Sequence, residues 1–231
     1  MWFEIHLRQK IWRLLDWVVI LVLGLPILIP SYLCYQGTIG PDGLNTAIRF
    51  IGAFLTAGAA LAAANNAASA LWLEREKGIL DTLLVTPLEP NEILIAKWRG
   101  ALLNPLGVYG WLAALWLAGS LTGGLHPTAL LMLPLLLAAY VTLAASFGLA
   151  MSLRSASRAQ AQLWTGLTIV SAGWGPIVGQ LAVAQFGEYD WGNSPMKILT
   201  LFYLPLFVAG SYALYDDALL TFRRKYYRMA P

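Results

Sequence analysis

The fold is decided by residues 74–87, which read EREKGILDTLLVTP. This charged stretch lies between two apolar runs that are each long enough to cross a membrane, so it must lie outside the hydrocarbon core. On a helix, Ile79, Leu80, Leu83 and Leu84 form an apolar arc that the flanking runs do not need. The pattern predicts a helix that docks onto something. The residues alone leave open whether that is a partner protein, the lipid surface or the chain's own helix bundle.

Composition indicates a membrane protein. Hydrophobic residues make up 58% of the 231 residues and charged residues 12%, against roughly 25% charged residues in an average soluble domain. The apolar runs are continuous and lack the period-2 alternation of membrane β-strands, and a helix needs about 20 apolar residues to cross the hydrocarbon. We therefore predict an all-α integral membrane fold.

Charges and Gly/Pro clusters divide the apolar sequence into six predicted spans, which form a six-helix bundle. The spans cover Trp17 to Tyr35, Phe50 to Leu73, Ala101 to Leu121, Thr128 to Leu153, Gln160 to Val183 and Ile198 to Tyr215. The fifth is interrupted by GWGP at residues 173–176, where the proline predicts a kink or a reversal. Because no repeat or linker divides the chain, residues 1–231 are predicted to form a single transmembrane domain.

The placement of Lys and Arg predicts the orientation. With both termini in the cytoplasm, only Arg49 and Lys197 of the 15 Lys and Arg residues fall on the outer side. Cytoplasmic loops carry the excess of basic residues in membrane proteins, so this arrangement is strongly favoured. The sequence therefore predicts a multi-pass protein of the plasma membrane, which in bacteria is the inner membrane.

Two further segments flank the spans. Residues 1–16 place Phe3, Leu7 and Ile11 on one helical face and basic residues on the other, which predicts an interfacial helix on the inner leaflet. A frayed basic flank is the alternative. Residues 176–197, before the last span, fit either an outer loop or a short hairpin that dips into the outer leaflet.

Residues 74–99 are predicted to be a cytoplasmic segment made of two helical pieces. The first piece, Lys77 to Thr86, begins behind Glu74 and Glu76, whose negative charge would suit a helix N-terminus. The proline that follows pushes the preceding residue out of the helical region and ends this piece. A second helix is expected to start after Pro90 and to lead into the third span.

The sequence EREKGILDTLLVTPL at residues 74–88, followed by PNEILIAK at 90–97, resembles a signature of exporter permeases of the ATP-binding-cassette (ABC) family. In the second exporter type of that family, the signature lies between the second and third spans. The six spans, the cytoplasmic termini, the N-terminal interfacial helix and the outer hairpin are also similar. The resemblance implies a coupling helix seated in a separate ABC ATPase subunit, which binds ATP and Mg²⁺. It also implies a dimer with a second permease copy or a similar chain.

The resemblance further implies which residues contact the ATPase. These are Glu76, Gly78, Leu80, Asp81 and Leu84, with Glu74 and Lys77 at the rim. A weaker similarity, SLRSAS at residues 152–157, implies a second coupling contact at the turn between the fourth and fifth spans. Its residues would be Arg154, Ser155 and Arg158.

Enzymatic and metal-binding chemistry is not indicated. The chain has no phosphate loop of the form G-x-x-x-x-G-K-S/T, so it is predicted not to be an enzyme and to need an ATPase partner. His6 and His126 fall on opposite sides of the membrane and Cys34 stands alone, so neither a metal site nor a catalytic residue is expected. Membrane lipid is an expected partner and nucleic acid is not. The middle of each predicted span lacks Lys, Arg, Asp and Glu, which argues against an ion-coupled transporter.

Polar residues inside the predicted spans have two interpretations. Asn65, Asn66 and Thr165 would either hydrogen-bond to neighbouring helices or line a substrate path. Small residues on the second span, among them Gly58 and Ala63, would let another helix approach closely, within the chain or across a dimer.

The expected function is that of the transmembrane permease subunit of an ATP-driven exporter, which couples ATP hydrolysis by the partner to movement of a substrate. The alternative is a permease-like membrane anchor that recruits an ATPase for a mechanical or assembly task and moves no solute. The apolar and aromatic spans favour lipid-like, drug-like or amphipathic cargo. The sequence leaves the substrate and the choice between homodimer and heterodimer open.

Overall fold

The computed structural model describes residue 32 and residues 36–37, 40–78, 88–122, 129–169, 171 and 195–227. Within these ranges every regular element is a helix, which confirms the predicted all-α class. The helices are α1 (Pro41–Glu76), α2 (Pro90–Leu103), α3 (Leu106–Leu121), α4 (Ala129–Arg154) and α5 (Pro195–Phe222), followed by a π-helical turn (Arg223–Tyr227). Residues 158–169 are also helical.

Two of these helices are long and apolar enough to cross a membrane, over Thr46–Glu76 in α1 and Leu130–Arg154 in α4. They contain the second predicted span and nearly all of the fourth. Helices α2 and α3 satisfy the same criterion only as a pair, which is bent by 46°. The described part of the chain therefore has two or three candidate spans, in keeping with a multi-pass membrane protein.

The third predicted span, Ala101 to Leu121, is broken and not continuous. Helix α2 ends at Leu103 and α3 begins at Leu106, with a turn between them. Pro105 lies in this turn, and it has no N–H to bond the carbonyl one turn earlier, while its ring crowds that carbonyl. The carbonyl of Pro105 then accepts the N–H of Val108 at 3.0 Å, which starts α3.

The other predicted segments are described in part. The fifth predicted span begins within the helical residues 158–169, and its Gly-Pro interruption lies outside the described residues. The sixth falls within α5, which begins at Pro195 and so includes the end of the predicted outer hairpin or loop. The predicted interfacial helix at 1–16 lies outside the described residues, as does the first span apart from Tyr32.

Helix α1 continues past the predicted end of the second span at Leu73 and includes Glu74 and Glu76 in its last turn. Glu74 and Glu76 therefore lie at a helix C-terminus, and the helix that the sequence predicts to follow them, from Lys77 to Thr86, lies mostly outside the described residues. At a helix C-terminus the backbone dipole disfavours negative charge. Arg75 in the same turn and the ammonium group of Lys97, which pairs with Glu74, oppose that effect.

The chain divides into two compact units. The first comprises Met1–Ala53 and Tyr109–Leu130, and the second Phe54–Val108 and Leu131–Pro231. Within the first, Gly52 of α1 lies against α3, where a Cβ on this glycine would lie 3.7 Å from side-chain atoms of Leu115 and Trp116. The predicted single domain stays a prediction.

The core of the second unit is built on small residues of α1. A fully buried alanine seam runs along this helix and consists of Ala59, Ala60, Ala63, Ala64, Ala67 and Ala68. Gly148 of α4 packs directly on this seam, because a Cβ on Gly148 would lie only 2.2 Å from the carbonyl oxygen of Ala64. This contact confirms the predicted close approach of another helix, although Gly58 itself is exposed.

Candidate functional site

The candidate coupling segment leaves α1 through a glycine. The N–H of Lys77 donates to the carbonyl of Leu73 at 3.2 Å, and the N–H of Gly78 donates to the carbonyl of Arg75 at 3.1 Å. Gly78 has a φ of 66°, in the left-handed region that glycine adopts without a steric cost. The backbone therefore turns out of the helix at a defined residue.

The implied contact and rim residues fall into three groups. Glu76, Lys77 and Gly78 are described and exposed, and Glu74 is described and half-buried in the last turn of α1. The remaining three lie outside the described residues, and their roles stay predictions. These are Leu80, Asp81 and Leu84.

After the segment, α2 begins with a polar N-terminus. Glu89 has φ −72° and ψ 147°, which is extended backbone, and Pro90 is the first helical residue. The carboxylate of Glu92 reaches back and accepts the N–H of Glu89 at 3.0 Å. An N-cap N–H bound by the side chain three residues later is half of a capping box. The predicted start of a second helix at this position is confirmed.

The two ends of the segment are joined by an ion pair. The carboxylate of Glu74, at the end of α1, pairs with the ammonium group of Lys97 in α2. The side chains of Glu74 and Lys97 are 15% and 28% exposed, and Oε2 of Glu74 is buried with no hydrogen-bond partner among the residues that the structure describes. Because partly buried charges are screened less than surface charges, this pair holds the two helices together more effectively than a fully exposed one.

A pocket of about 320 Å³ lies beside this ion pair, between α1 and α2. Its polar lining comes from Asn66, Ser69 and Lys97, and the hydroxyl of Ser69 donates to the carbonyl of Asn66 at 3.2 Å. Of the three predicted path residues, only Asn66 lines this pocket. Asn65 and Thr165 each bury a side-chain oxygen that has no hydrogen-bond partner in the described part of the chain.

The second predicted contact is engaged within the chain. Arg154, the last residue of α4, donates to the carboxylate of Asp217 of α5 at 2.6 Å. Ser155 is buried, and its N–H donates to the carbonyl of Met151 at 3.0 Å, at the C-terminal end of α4. Arg158 is half-buried, and its Nε has no hydrogen-bond partner in the described ranges.

A polar cluster joins α2 to α4 and α5, and sequence reasoning missed it. The indole N–H of Trp98 donates to the hydroxyl of Ser146 at 3.0 Å, which lies 3.1 Å from the hydroxyl of Ser211. The hydroxyl of Tyr215 donates to Oδ1 of Asn91 at 2.8 Å, and its ring meets that of Trp98 edge-on at 6.1 Å. The available signal was that serine side chains in membrane helices are enriched at helix interfaces, where they hydrogen-bond to another helix.

The same cluster forms one wall of a larger groove. Its volume is about 580 Å³, and it lies between α2, α4 and α5. Apart from Trp98, Ser211 and Tyr215, the lining is mainly aliphatic, with Leu135 and Val208 as examples. Such a surface suits hydrocarbon more than a polar solute.

Within the described ranges, no three His, Cys, Asp or Glu side chains come together in a way that would hold a metal ion. Around the candidate segment, the described geometry consists of the end of α1 at Gly78 and the start of α2 at Glu89, with the Glu74 and Lys97 ion pair between the two helices. Comparison with known protein families, with curated proteins and with solved structures finds no match to this chain.

Proposed function

We propose that this chain is the membrane-spanning permease subunit of an ATP-driven ABC exporter. The observation that carries the proposal is that the signature segment begins at the exposed Gly78 turn and ends at the Glu89 N-cap. The Glu74 and Lys97 pair joins the two helices, α1 and α2, that flank the segment. A partner that grips the segment would therefore pull on α1 and α2 together.

In this proposal the ATPase is a separate subunit that binds ATP and Mg²⁺, since this chain has no phosphate loop of its own. ATP-driven closure of the ATPase moves the segment, and the attached helices tilt. ATP changes the equilibrium of the permease only through contacts that differ between the two states. Glu74 positions the segment through Lys97, while Glu76, Lys77 and Gly78 face the partner with Leu80, Asp81 and Leu84.

The proposed assembly is a dimer of this chain, or a pair with a similar chain, in the plasma membrane. The six-span topology with both termini in the cytoplasm belongs to the proposal. It is supported by the two or three candidate spans and by the basic residues at their ends. The apolar groove between α2, α4 and α5 supports amphipathic or lipid-like cargo over a small polar solute.

The test is retention of the ATPase by variants of the segment. The full chain is purified from its native membrane in mild detergent, and the ATPase subunit that accompanies it is identified by mass spectrometry. We expect Asp81→Lys and Leu84→Glu each to lower ATPase retention by about tenfold or more, because central interface residues commonly contribute 2 kcal/mol or more.

Asp216→Lys is the matched control, since it makes the same charge change at an exposed residue of α5. This variant should retain the ATPase at the level of the unaltered chain. Equal retention by all three variants, or the absence of any ATPase from the unaltered complex, would contradict the proposal. A retained ATPase whose hydrolysis responds to no lipid or drug-like compound would favour the anchor function.

A further inference from the structure

Arg75, at the end of α1, and Lys225 both lie near the aromatic ring of Tyr226. The guanidinium carbon of Arg75 lies 4.9 Å from the ring centroid of Trp72 and 5.5 Å from that of Tyr226. The ammonium nitrogen of Lys225 lies 6.0 Å from the same Tyr226 ring. We call Trp72, Arg75, Lys225 and Tyr226 the basic cluster. It joins the last turn of α1 to the π-helical turn that follows α5.

No carboxylate neutralises the basic cluster within the described residues. The ion pairs found there are those of Glu74 with Lys97 and of Arg154 with Asp217. Lys225 instead donates to the carbonyl of Leu153 at 3.0 Å. Burial, and then the nearby charge of Arg75, lower the pKa of Lys225 from its ordinary value. An anion between the two cations would remove this repulsion.

The basic cluster lies at the ends of both candidate spans. Arg75 is the penultimate residue of Thr46–Glu76, and Leu153 is the penultimate residue of Leu130–Arg154. The first of these spans has 31 residues. At 1.5 Å per residue it is about 46 Å long, close to the 40–45 Å of a bilayer with its headgroups. A span of this length reaches from one headgroup region to the other, so we expect the cluster at headgroup depth, where Trp and Tyr are enriched.

We propose that the basic cluster binds the phosphate of an anionic phospholipid of the cytoplasmic leaflet. The planar guanidinium of Arg75 presents paired N–H donors to two phosphate oxygens, and Lys225 adds a second positive charge. The rings of Trp72 and Tyr226 pack beside the lipid glycerol. The bound lipid holds the end of α1, next to the coupling segment, against the π-helical turn.

A phospholipid fits the cluster better than an acidic protein surface does. Both spans end beside it, so a lipid headgroup is its immediate neighbour in the bilayer, and the cytoplasmic leaflet is rich in anionic lipid. The proposal goes beyond the exporter function. Its test needs no ATPase, so the lipid-binding proposal and the exporter proposal can be contradicted independently.

The experiment measures lipid retention by the full chain. The purified protein is delipidated in mild detergent and titrated with phosphatidylglycerol or phosphatidylcholine of the same acyl chains, and retained lipid is counted by native mass spectrometry. The unaltered chain should retain phosphatidylglycerol in preference. Arg75→Gln and Lys225→Gln should each lower that preference about tenfold, which corresponds to the roughly 1.5 kcal/mol that a hydrogen bond to a charged group contributes.

Conservative and matched variants separate a specific site from general attraction. Lys225→Arg keeps the charge and should keep most of the preference. Arg75→Lys keeps the charge but loses the paired N–H donors, so it should keep only part of the preference. Helix content of both variants is checked by circular dichroism. Arg224→Gln removes the same charge from an exposed residue of the same turn and should leave the preference unchanged. An equal loss in Arg224→Gln would overturn the proposal in favour of diffuse attraction.

Three further results would overturn it. One is equal retention of the two lipids by the unaltered chain. Another is displacement of phosphatidylglycerol by soluble glycerol phosphate at equal concentration, which would identify a site for free phosphate. The third is weaker binding of an acidic protein partner by Arg75→Gln and Lys225→Gln without any change in lipid preference.

Discussion

At the scale of single residues, Gly78 decides where the first long helix ends. Its φ of 66° places it in the left-handed region, where the Cβ of an L residue comes too close to the following carbonyl oxygen. Gly78→Ala should therefore lower the free energy of unfolding by about 1 kcal/mol. Denaturant titration of the purified protein in detergent micelles measures this change.

Gly58 provides the control for that substitution. It lies inside α1 with open space where a Cβ would be. Because glycine is a poorer helix former than alanine, Gly58→Ala should raise the free energy of unfolding by about 0.5–1 kcal/mol. A loss of stability in both variants would argue against a special role for the backbone at Gly78.

Tyr215 carries a second prediction at this scale, since its hydroxyl bonds to Asn91 at 2.8 Å. Tyr215→Phe removes that bond and keeps the ring contact with Trp98. We expect a loss of about 0.6 kcal/mol, the average for hydrogen bonds between membrane helices. The control is Tyr212→Phe, because Tyr212 is 75% exposed. Equal unfolding free energies for the two variants would refute the contribution of the Asn91 bond.

At the scale of elements, the contact between α1 and α4 is made by backbone. Gly148 lies so close to Ala64 that an added Cβ would be 2.2 Å from a carbonyl oxygen. Gly148→Ala must therefore push the two helices apart, and overpacking of this kind costs about 1–3 kcal/mol. Thermal unfolding in detergent should show a lower midpoint for this variant.

Gly166→Ala tests whether any added methyl group has the same effect. A Cβ there would lie 3.8 Å from a Leu61 side-chain carbon, which is an ordinary contact. Because Gly166 also lies inside a helix, the free energy of unfolding of this variant should stay the same or rise by up to about 1 kcal/mol. If Gly166→Ala were as destabilising as Gly148→Ala, close backbone approach would not be the cause.

The helices were predictable where length and hydropathy alone decide them, as in α1 and α4. Their ends were not, since α1 includes Glu74 and Glu76 beyond its apolar run. The break between α2 and α3 had a visible signal in the Asn104-Pro105 dipeptide, which is typical of turns. The pairing of Glu74 with Lys97, 23 residues away, could not be predicted because it depends on how two helices pack.

At the scale of the whole molecule, the polar contacts of the second unit gather at one set of helix ends. Glu74 with Lys97 and Asn91 with Tyr215 connect the C-terminal parts of α1 and α5 to α2, and Arg154 with Asp217 connects the C-terminal parts of α4 and α5. Basic residues are concentrated at the same ends. The positive-inside rule assigns such an end to the cytoplasm.

Cysteine labelling checks that orientation. In a Cys34→Ser background, Thr122→Cys should react with a membrane-impermeant maleimide on intact cells. Ala156→Cys should react only after permeabilisation, because it lies at the basic end. Both positions are exposed, so accessibility within the protein does not limit either reaction. Reaction of both from the same side would contradict the proposed topology.

The alanine seam of α1 has an entropic consequence. Alanine and glycine have no side-chain rotamers to lose, so packing the seam against Gly148 restricts only the conformational freedom of the backbone. Leucine at the same six positions would lose roughly 3–6 kcal/mol of rotamer freedom on burial. Lipid tails are as apolar as leucine, so larger side chains would gain little hydrophobic free energy in exchange. Small residues therefore join two helices inside a bilayer with a smaller loss of conformational entropy than large residues would.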